Sequence, residues 1–105
     1  MILKRDDILQ TLKLEQSFFE SDGVKILGIF GSYARNEATE ESDVDILIET
    51  TSSFLDKYRG FRAFSRLDDL KEILQKKLHK NVDFADKSSL GKLGKEYILK
   101  GSVYV

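Results

Sequence analysis

Two aspartates, Asp43 and Asp45, flank a single valine at the start of an apolar segment. Side chains two residues apart share one face of a strand, so both carboxylates would point away from Val44 and Ile46. Mg²⁺ prefers oxygen ligands and completes its shell with water and substrate phosphates. Two such ions can stabilise the attacking and leaving oxygens of a phosphoryl displacement. The pair therefore indicates a metal-dependent phosphoryl-transfer site. The alternative, a turn cap followed by an exposed aspartate at a strand entrance, stays open at this point.

A glycine and a serine, Gly31 and Ser32, follow the preceding apolar run over residues 24–30. A helix that begins there would direct free backbone N–H groups at a bound anion, and glycine lets a phosphate approach the backbone closely. The chain contains no G-x-x-x-x-G-K-[ST] motif, which excludes a P-loop. We interpret the two residues as a phosphate cradle beside the aspartate pair. A tight turn with a helix cap is the competing interpretation.

These motifs need strands and helices that hold them in place. Apolar periodicity predicts helices over residues 5–20, 32–35, 66–78 and 92–100. Short apolar runs predict strands over 24–30, 44–49, 81–85 and 103–105. The order of these elements predicts an α/β (α+β) fold in which helices pack on a small mixed β-sheet.

Several element boundaries are predicted from local signals. Residues 50–63 are predicted to form a loop with a helical turn, and Ser65 with Asp68 to cap the helix that follows. Ser88 or Ser89 is predicted to cap the last helix, which Gly101 would end.

The composition limits the classes of function. A length of 105 residues predicts one domain over 1–105, and a net charge of −1 argues against a protein that binds nucleic acid directly. The absence of cysteine and the single histidine exclude disulfides, thiolate sites and histidine-rich zinc sites. No apolar stretch predicts a membrane span or a signal peptide, so we expect a soluble, cytoplasmic protein.

Two basic features have alternative interpretations. Arg35 either contacts phosphate or pairs with a nearby glutamate at position 37, 40 or 41. The segment 57–66 contains four basic residues and three aromatic ones and no acid. Its cations could meet a triphosphate, an RNA or an acidic partner, or could form a solvated face, and its aromatic residues favour core or dimer contacts. His79 lies at the end of a predicted helix, where a cation is favoured, and is not expected to be catalytic.

The combination of Gly31-Ser32-Tyr33-Ala34-Arg35 with Ser42-Asp43-Val44-Asp45 resembles the signature of the polymerase-β-type nucleotidyltransferase superfamily. The resemblance is closest to its minimal single-domain members, the MNT proteins, which include antitoxins of HEPN/MNT pairs. The chain departs from the pattern at Asn36, where the family commonly has glycine. Asparagine tolerates a left-handed backbone better than most residues, so we expect the turn to be retained.

The resemblance implies a third acidic residue on a later strand, and Asp83 is the candidate. Strand alternation places Asp83 on the face opposite Val82 and Phe84, whereas the competitor Asp86 falls on the other face, next to a predicted turn.

The function implied by the resemblance is nucleotidyl transfer. Asp43, Asp45 and Asp83 would be catalytic and would bind two Mg²⁺ ions, while Gly31, Ser32 and Arg35 would bind ATP. The acceptor would be a tyrosine of a partner HEPN-domain toxin, so the chain would act as an antitoxin by transferring AMP. Two alternatives stay open: an antitoxin with little or no activity that masks its partner, and transfer to a small molecule. A homodimer is also left open.

Overall fold

The computed structural model describes residues 3–105. Its helices are α1 (Arg5–Ser21), α2 (Gly31–Ala34), α3 (Ser52–Lys57), α4 (Phe61–Leu78) and α5 (Lys92–Lys100), with a 3-10 turn at Lys87–Ser89. Its strands are β1 (Val24–Phe30), β2 (Val44–Thr50), β3 (Val82–Asp86) and β4 (Val103–Tyr104). The predicted fold of helices on a small mixed sheet is confirmed. No helix in the range 3–105 is long and apolar enough to cross a membrane.

The sheet has the strand order β3-β2-β1-β4. Strand β1 runs antiparallel to both β2 and β4, and β2 runs parallel to β3. The parallel pair needs a long crossover connection, which α3 and α4 provide. A register shift in the β1–β2 pairing lies between Ile26 and Gly28. The strands that carry Asp45 and Asp83 are therefore direct neighbours, and β3 forms one edge of the sheet.

The hydrophobic core lies between one face of the sheet and helices α1 and α4. Each helix buries residues at helical spacing, as an amphipathic helix does when it packs on a sheet. Alternate residues of β2 complete this layer. The buried core residues from these three elements are Ile8, Leu12, Phe19, Val44, Ile46, Ile48, Leu70, Leu74 and Leu78. Leu47 alternates with its neighbours and is fully buried on the opposite face, so that face is covered at this position.

The prediction for residues 50–63 is right about a helical turn, which is α3, and wrong about where the next helix begins. The segment contains α3, and α4 begins at Phe61 rather than at residue 66. Phe61 and Phe64 are 88% and 70% exposed, so the first turns of α4 carry no buried apolar stripe that would reveal a helix. Gly60, with φ 60°, separates the two helices. Ser65 and Asp68 consequently lie inside α4 and do not cap it.

The C-terminal helix has the predicted bounds, and Gly101 ends it as predicted. The predicted cap is wrong, because Ser88 and Ser89 belong to the 3-10 turn and Gly91 precedes α5. Asp86 is the residue that caps the turn, through its side-chain bond with the Ser88 backbone N–H at 3.0 Å.

Candidate active site

Asp45 and Asp83 occupy paired positions on neighbouring parallel strands. Residues in register on adjacent strands project from the same face of a sheet, so the two carboxylates share the face opposite the core. The alternation predicted around Asp83 holds, since Val82 is buried and Phe84 packs against the core. The structure therefore brings together two of the three acidic residues predicted from the sequence.

Asp43 immediately precedes β2 and is exposed, whereas Asp45 is partly buried. Burial raises the pKa of Asp45, and the negative charges of Asp83 and Asp43 raise that pKa further. The positive charge of Arg35 acts in the opposite direction. The three carboxylates are thus electrostatically coupled, and their repulsion disfavours full ionisation unless a cation is present.

Gly31 lies against the Asp45 carboxylate. It has φ +73°, and a Cβ at this position would lie 2.2 Å from Oδ2 of Asp45. Only glycine meets both conditions, because other residues rarely adopt this φ and would displace the carboxylate. The helix α2 begins at Gly31, one residue before its predicted start, and Ser32 follows within its first turn. The glycine-serine motif therefore lies next to Asp45, one member of the aspartate pair.

Arg35 and Asn36 complete the turn after α2. The Arg35 Nε donates to Glu37 Oε2 at 3.1 Å, and both side chains are largely exposed. Exposed ion pairs of this kind contribute little stability, so the guanidinium is available to an anionic ligand at small cost. Asn36 has φ 61°, which confirms that asparagine takes the left-handed conformation expected at the position where the family has glycine.

Asp86 has a structural role instead. Its carboxylate accepts hydrogen bonds from the Thr50 backbone N–H at 3.1 Å and from the Thr50 hydroxyl at 2.6 Å. It also accepts from the Ser88 hydroxyl at 2.7 Å. These bonds join the ends of β2 and β3, and they occupy the acceptor sites that a metal ion would need.

The donors fit a hard divalent cation in type, because all three candidate ligands supply carboxylate oxygens. Among residues 3–105, however, no three carboxylate, imidazole or thiol groups are close enough together to bind one ion. Asp43 and Asp83 are exposed, and an Asp side chain changes its position by rotation about two torsions. Binding by the three aspartates would therefore require such rotations.

Part of the basic segment 57–66 surrounds the buried carboxylate of Asp22. The buried carboxylate of Asp22 accepts a hydrogen bond from the Arg66 Nε and another from the Tyr58 hydroxyl at 3.0 Å. Lys57 Nζ lies 3.6 Å from the same carboxylate. Arg66 and Lys57 are thus engaged in a structural network, which is one of the uses that the sequence left open.

Two residues near the site carry no sequence signal. Tyr97 and Lys100 of α5 line a cavity that also contains Gly31 and Arg35. A tyrosine and a lysine near the end of an amphipathic helix are ordinary surface residues in the sequence. Their position beside the candidate site depends on the tertiary placement of α5, which precedes β4, the neighbour of β1.

The comparisons with known proteins agree with this geometry. A family model described as "Nucleotidyltransferase domain" matches residues 10–105. The chain belongs to this nucleotidyltransferase family. The recognition made from the two motifs is confirmed, and so is the prediction that the chain is a nucleotidyltransferase enzyme. Members of the family generally use a nucleoside triphosphate and a divalent metal ion.

Individual relatives of this nucleotidyltransferase include proteins named for adenylyl transfer to protein. The protein adenylyltransferase MntA of Thermococcus cleftensis is 37% identical over 86 residues, covering 82% of this chain and 79% of MntA. MJ0435 of Methanocaldococcus jannaschii, assigned as a protein adenylyltransferase, is 44% identical over 85 residues, 79% of this chain and 81% of its own length. A solved structure assigned to a minimal nucleotidyltransferase superposes with a TM-score of 0.74 at 24% identity, covering 98% of this chain and 97% of that one. That likeness concerns the fold.

Proposed function

We propose that this nucleotidyltransferase transfers AMP from ATP to a tyrosine hydroxyl of a partner HEPN-domain toxin and thereby acts as its antitoxin. The observation that carries the proposal is the pairing of Asp45 with Asp83 beside Gly31. This arrangement joins two carboxylates to a backbone position that a phosphate can approach. The names of the relatives MntA and MJ0435 support a protein as the acceptor.

Each residue has a role in this proposal. The Gly31 and Ser32 backbone and the Arg35 guanidinium hold the outer phosphates, with Arg35 leaving its exposed pair with Glu37. The acceptor oxygen attacks the α-phosphorus and forms a new P–O bond, while the bond to the β-phosphate oxygen breaks and pyrophosphate leaves. Asp83 accepts the hydroxyl proton. Positioning of the two reactants would supply much of the rate enhancement.

Asp43, Asp45 and Asp83 are the residues that would bind two Mg²⁺ ions. When bound, the ions would neutralise charge that develops on the transferred phosphoryl group. The raised pKa of Asp45 agrees with such a role, because a site designed for cations concentrates carboxylates that repel one another without them.

The test is transfer to the partner in solution. The chain is incubated with the HEPN-domain protein, labelled ATP and Mg²⁺, and the intact mass of the partner is measured. We expect the partner to gain AMP on tyrosine, and Asp43→Asn/Asp45→Asn to lower the rate by about 100-fold or more. Glu49→Gln is the matched control, since Glu49 lies on the same strand and the same face as Asp45. Transfer that continues unchanged in the double variant would rule out this site.

A second candidate function is inhibition by masking without transfer. The exposed aromatic rings of Phe61 and Phe64 favour it, because adjacent exposed aromatic side chains are typical of protein contacts. In this case Asp43→Asn/Asp45→Asn would inhibit the partner as well as the wild type does, whereas Phe61→Ala/Phe64→Ala would not. The transfer mechanism predicts that the aspartate variant fails to inhibit.

A further inference from the structure

A cavity of about 670 Å³ lies beside the candidate site. Phe30, which lines it, pairs in register with Asp45, so the cavity is on the face of the sheet that carries the carboxylates. Gly31 and Arg35 line it from the α2 side, and Tyr97 and Lys100 line it from α5. A volume of this size falls within the usual range of about 300–1,000 Å³ for small-molecule sites.

The charges that line the cavity suit a polyphosphate. Arg35 and Lys100 are its ionisable groups with a full charge, both positive, and no carboxylate is among the described residues that line it. A second cavity of about 620 Å³ lies beside Asp43 and has the opposite character. Its four carboxylates, Glu40, Glu41, Asp43 and Glu72, outnumber its two lysines, Lys76 and Lys80. A triphosphate with several negative charges would therefore prefer the cavity at Gly31 over the one at Asp43.

The remaining lining is apolar and aromatic. The Tyr97 side chain is 83% exposed although it belongs to an amphipathic helix, and Ile98 next to it also lines the cavity. A flat aromatic ring at the wall of a cavity is a stacking surface that accepts any nucleobase. Arg35 and Lys100 line the same cavity as this ring. One ligand with an anionic end and a flat apolar end could therefore contact the cations and the ring together.

We infer that the cavity between α2 and α5 binds the nucleoside part of ATP, with the adenine ring against Tyr97 and Ile98 and the phosphates toward Arg35. This inference rests on the proposed function, because it names the place of the ATP substrate of that same site. Tyr97 is then a substrate-binding residue supplied by the C-terminal helix, outside both sequence motifs.

The experiment compares ATP with inorganic tripolyphosphate, which has the phosphates but no base. The affinities of both for the full chain with Mg²⁺ are measured for the wild type, Tyr97→Ala and Tyr97→Phe. Leu93→Ala is the matched control, because Leu93 is 81% exposed on the same helix but does not line the cavity. We expect Tyr97→Ala to weaken ATP binding about tenfold, the lower part of the range for loss of one stacked base. Tyr97→Phe and Leu93→Ala should leave ATP binding unchanged, and tripolyphosphate should bind all four proteins equally.

Two results would overturn the inference. In one, Tyr97→Ala binds ATP as the wild type does. In the other, it weakens tripolyphosphate as much as ATP, which would place phosphate rather than base at Tyr97. Failure of the proposed function has a different signature: ATP binding would depend on Tyr97 as expected, but the partner protein would gain no AMP.

Discussion

Gly31 and Asp45 are in such close contact that a Cβ on Gly31 would lie 2.2 Å from the Asp45 Oδ2. The contact places the glycine-serine turn against the Asp45 side chain. Because the obstructed atom is at the end of a side chain, a larger residue at position 31 would move the carboxylate rather than disrupt the core.

Gly31→Ala should therefore impair activity more than stability. The positive φ costs about 1–2 kcal/mol in the free energy of unfolding, while the displaced Asp45 carboxylate lowers the rate of transfer by about 100-fold or more. Gly60→Ala is the control, since Gly60 also has a positive φ but no described atom within 4 Å of its Cβ position. Urea denaturation and transfer rates measured on both variants test this. Equal activity losses in the two variants would contradict it.

Asp45→Asn should stabilise the protein at neutral pH. Burial and the charges of Asp83 and Asp43 raise the pKa of Asp45 in the folded state. Ionisation of Asp45 therefore opposes folding increasingly as the pH rises from the unfolded-state pKa to the folded-state pKa, and below the unfolded-state pKa the effect vanishes. We expect the thermal midpoint of Asp45→Asn to exceed that of the wild type at pH 7 and the difference to disappear as the pH falls below the ordinary Asp range.

The same variant tests cation binding without an activity assay. Mg²⁺ should raise the melting temperature of the wild type, EDTA should reverse the rise, and Asp45→Asn should show neither effect. Glu49→Gln should respond as the wild type does. An Asp45→Asn variant that is no more stable than the wild type at pH 7 would contradict the destabilising effect of the Asp45 charge.

The two acidic residues of β3 should separate function from stability. Asp83 is exposed beside Asp45, so Asp83→Asn should lower transfer by about 100-fold or more with little change in unfolding free energy. Asp86 accepts hydrogen bonds from Thr50 and Ser88, so Asp86→Asn should cost about 1–3 kcal/mol and retain transfer. If Asp86→Asn lost transfer and Asp83→Asn retained it, the third carboxylate of the site would be Asp86.

Asp22→Asn should destabilise the domain by about 2–3 kcal/mol, because a buried charged acceptor is replaced by a neutral group opposite Arg66. Burial raises the pKa of Asp22, but hydrogen bonds from Arg66 and Tyr58 and the charges of Arg66 and Lys57 outweigh it and lower the pKa. This stabilisation is present above the unfolded-state pKa and is lost as the pH falls through the folded-state value.

Urea denaturation across the acid range measures this effect. The difference between the wild type and Asp22→Asn should shrink toward low pH. Asp69→Asn is the control, because Asp69 is exposed and its carboxylate forms a long ion pair of 3.9 Å with the Arg66 guanidinium. It should change the unfolding free energy by less than about 1 kcal/mol.

Tyr33→Phe should stabilise the domain by about 1 kcal/mol. The Tyr33 hydroxyl is buried and has no hydrogen-bond partner in the part of the chain that the structure describes. Its removal relieves the cost of desolvating an unpaired hydroxyl. Tyr104→Phe, at an exposed tyrosine, should have little effect. A loss of stability in Tyr33→Phe would indicate that the hydroxyl binds a water molecule.

Much of the site could be predicted because it depends on local geometry. The side chains of a strand alternate between its two faces. The position of Asp83 between the apolar residues Val82 and Phe84 therefore predicts that Asp83 points away from the core. The left-handed turn at Asn36 was predictable for the same reason, since it reflects the intrinsic preference of one residue type.

Boundaries were less predictable where the signal was weak. The first turns of α4 expose Phe61 and Phe64, and an apolar residue in solvent looks like a core residue in the sequence. The cap signals at Ser65 and Ser88 also proved wrong. Ser65 lies inside α4, and Ser88 lies in the 3-10 turn, while a glycine without a side-chain cap precedes each of the two helices.

The sequence by itself determined the types of element, the identity of the motifs and the family to which they point. The tertiary structure alone decided that Asp83 lies beside Asp45, that Asp22 pairs with Arg66 and that Tyr97 shares a cavity with Gly31. The physical reason is the range of the interactions. Propensity and periodicity act over a few residues, whereas strand order and register depend on how α1 and α4 pack on the sheet, and that packing involves residues far apart in the chain.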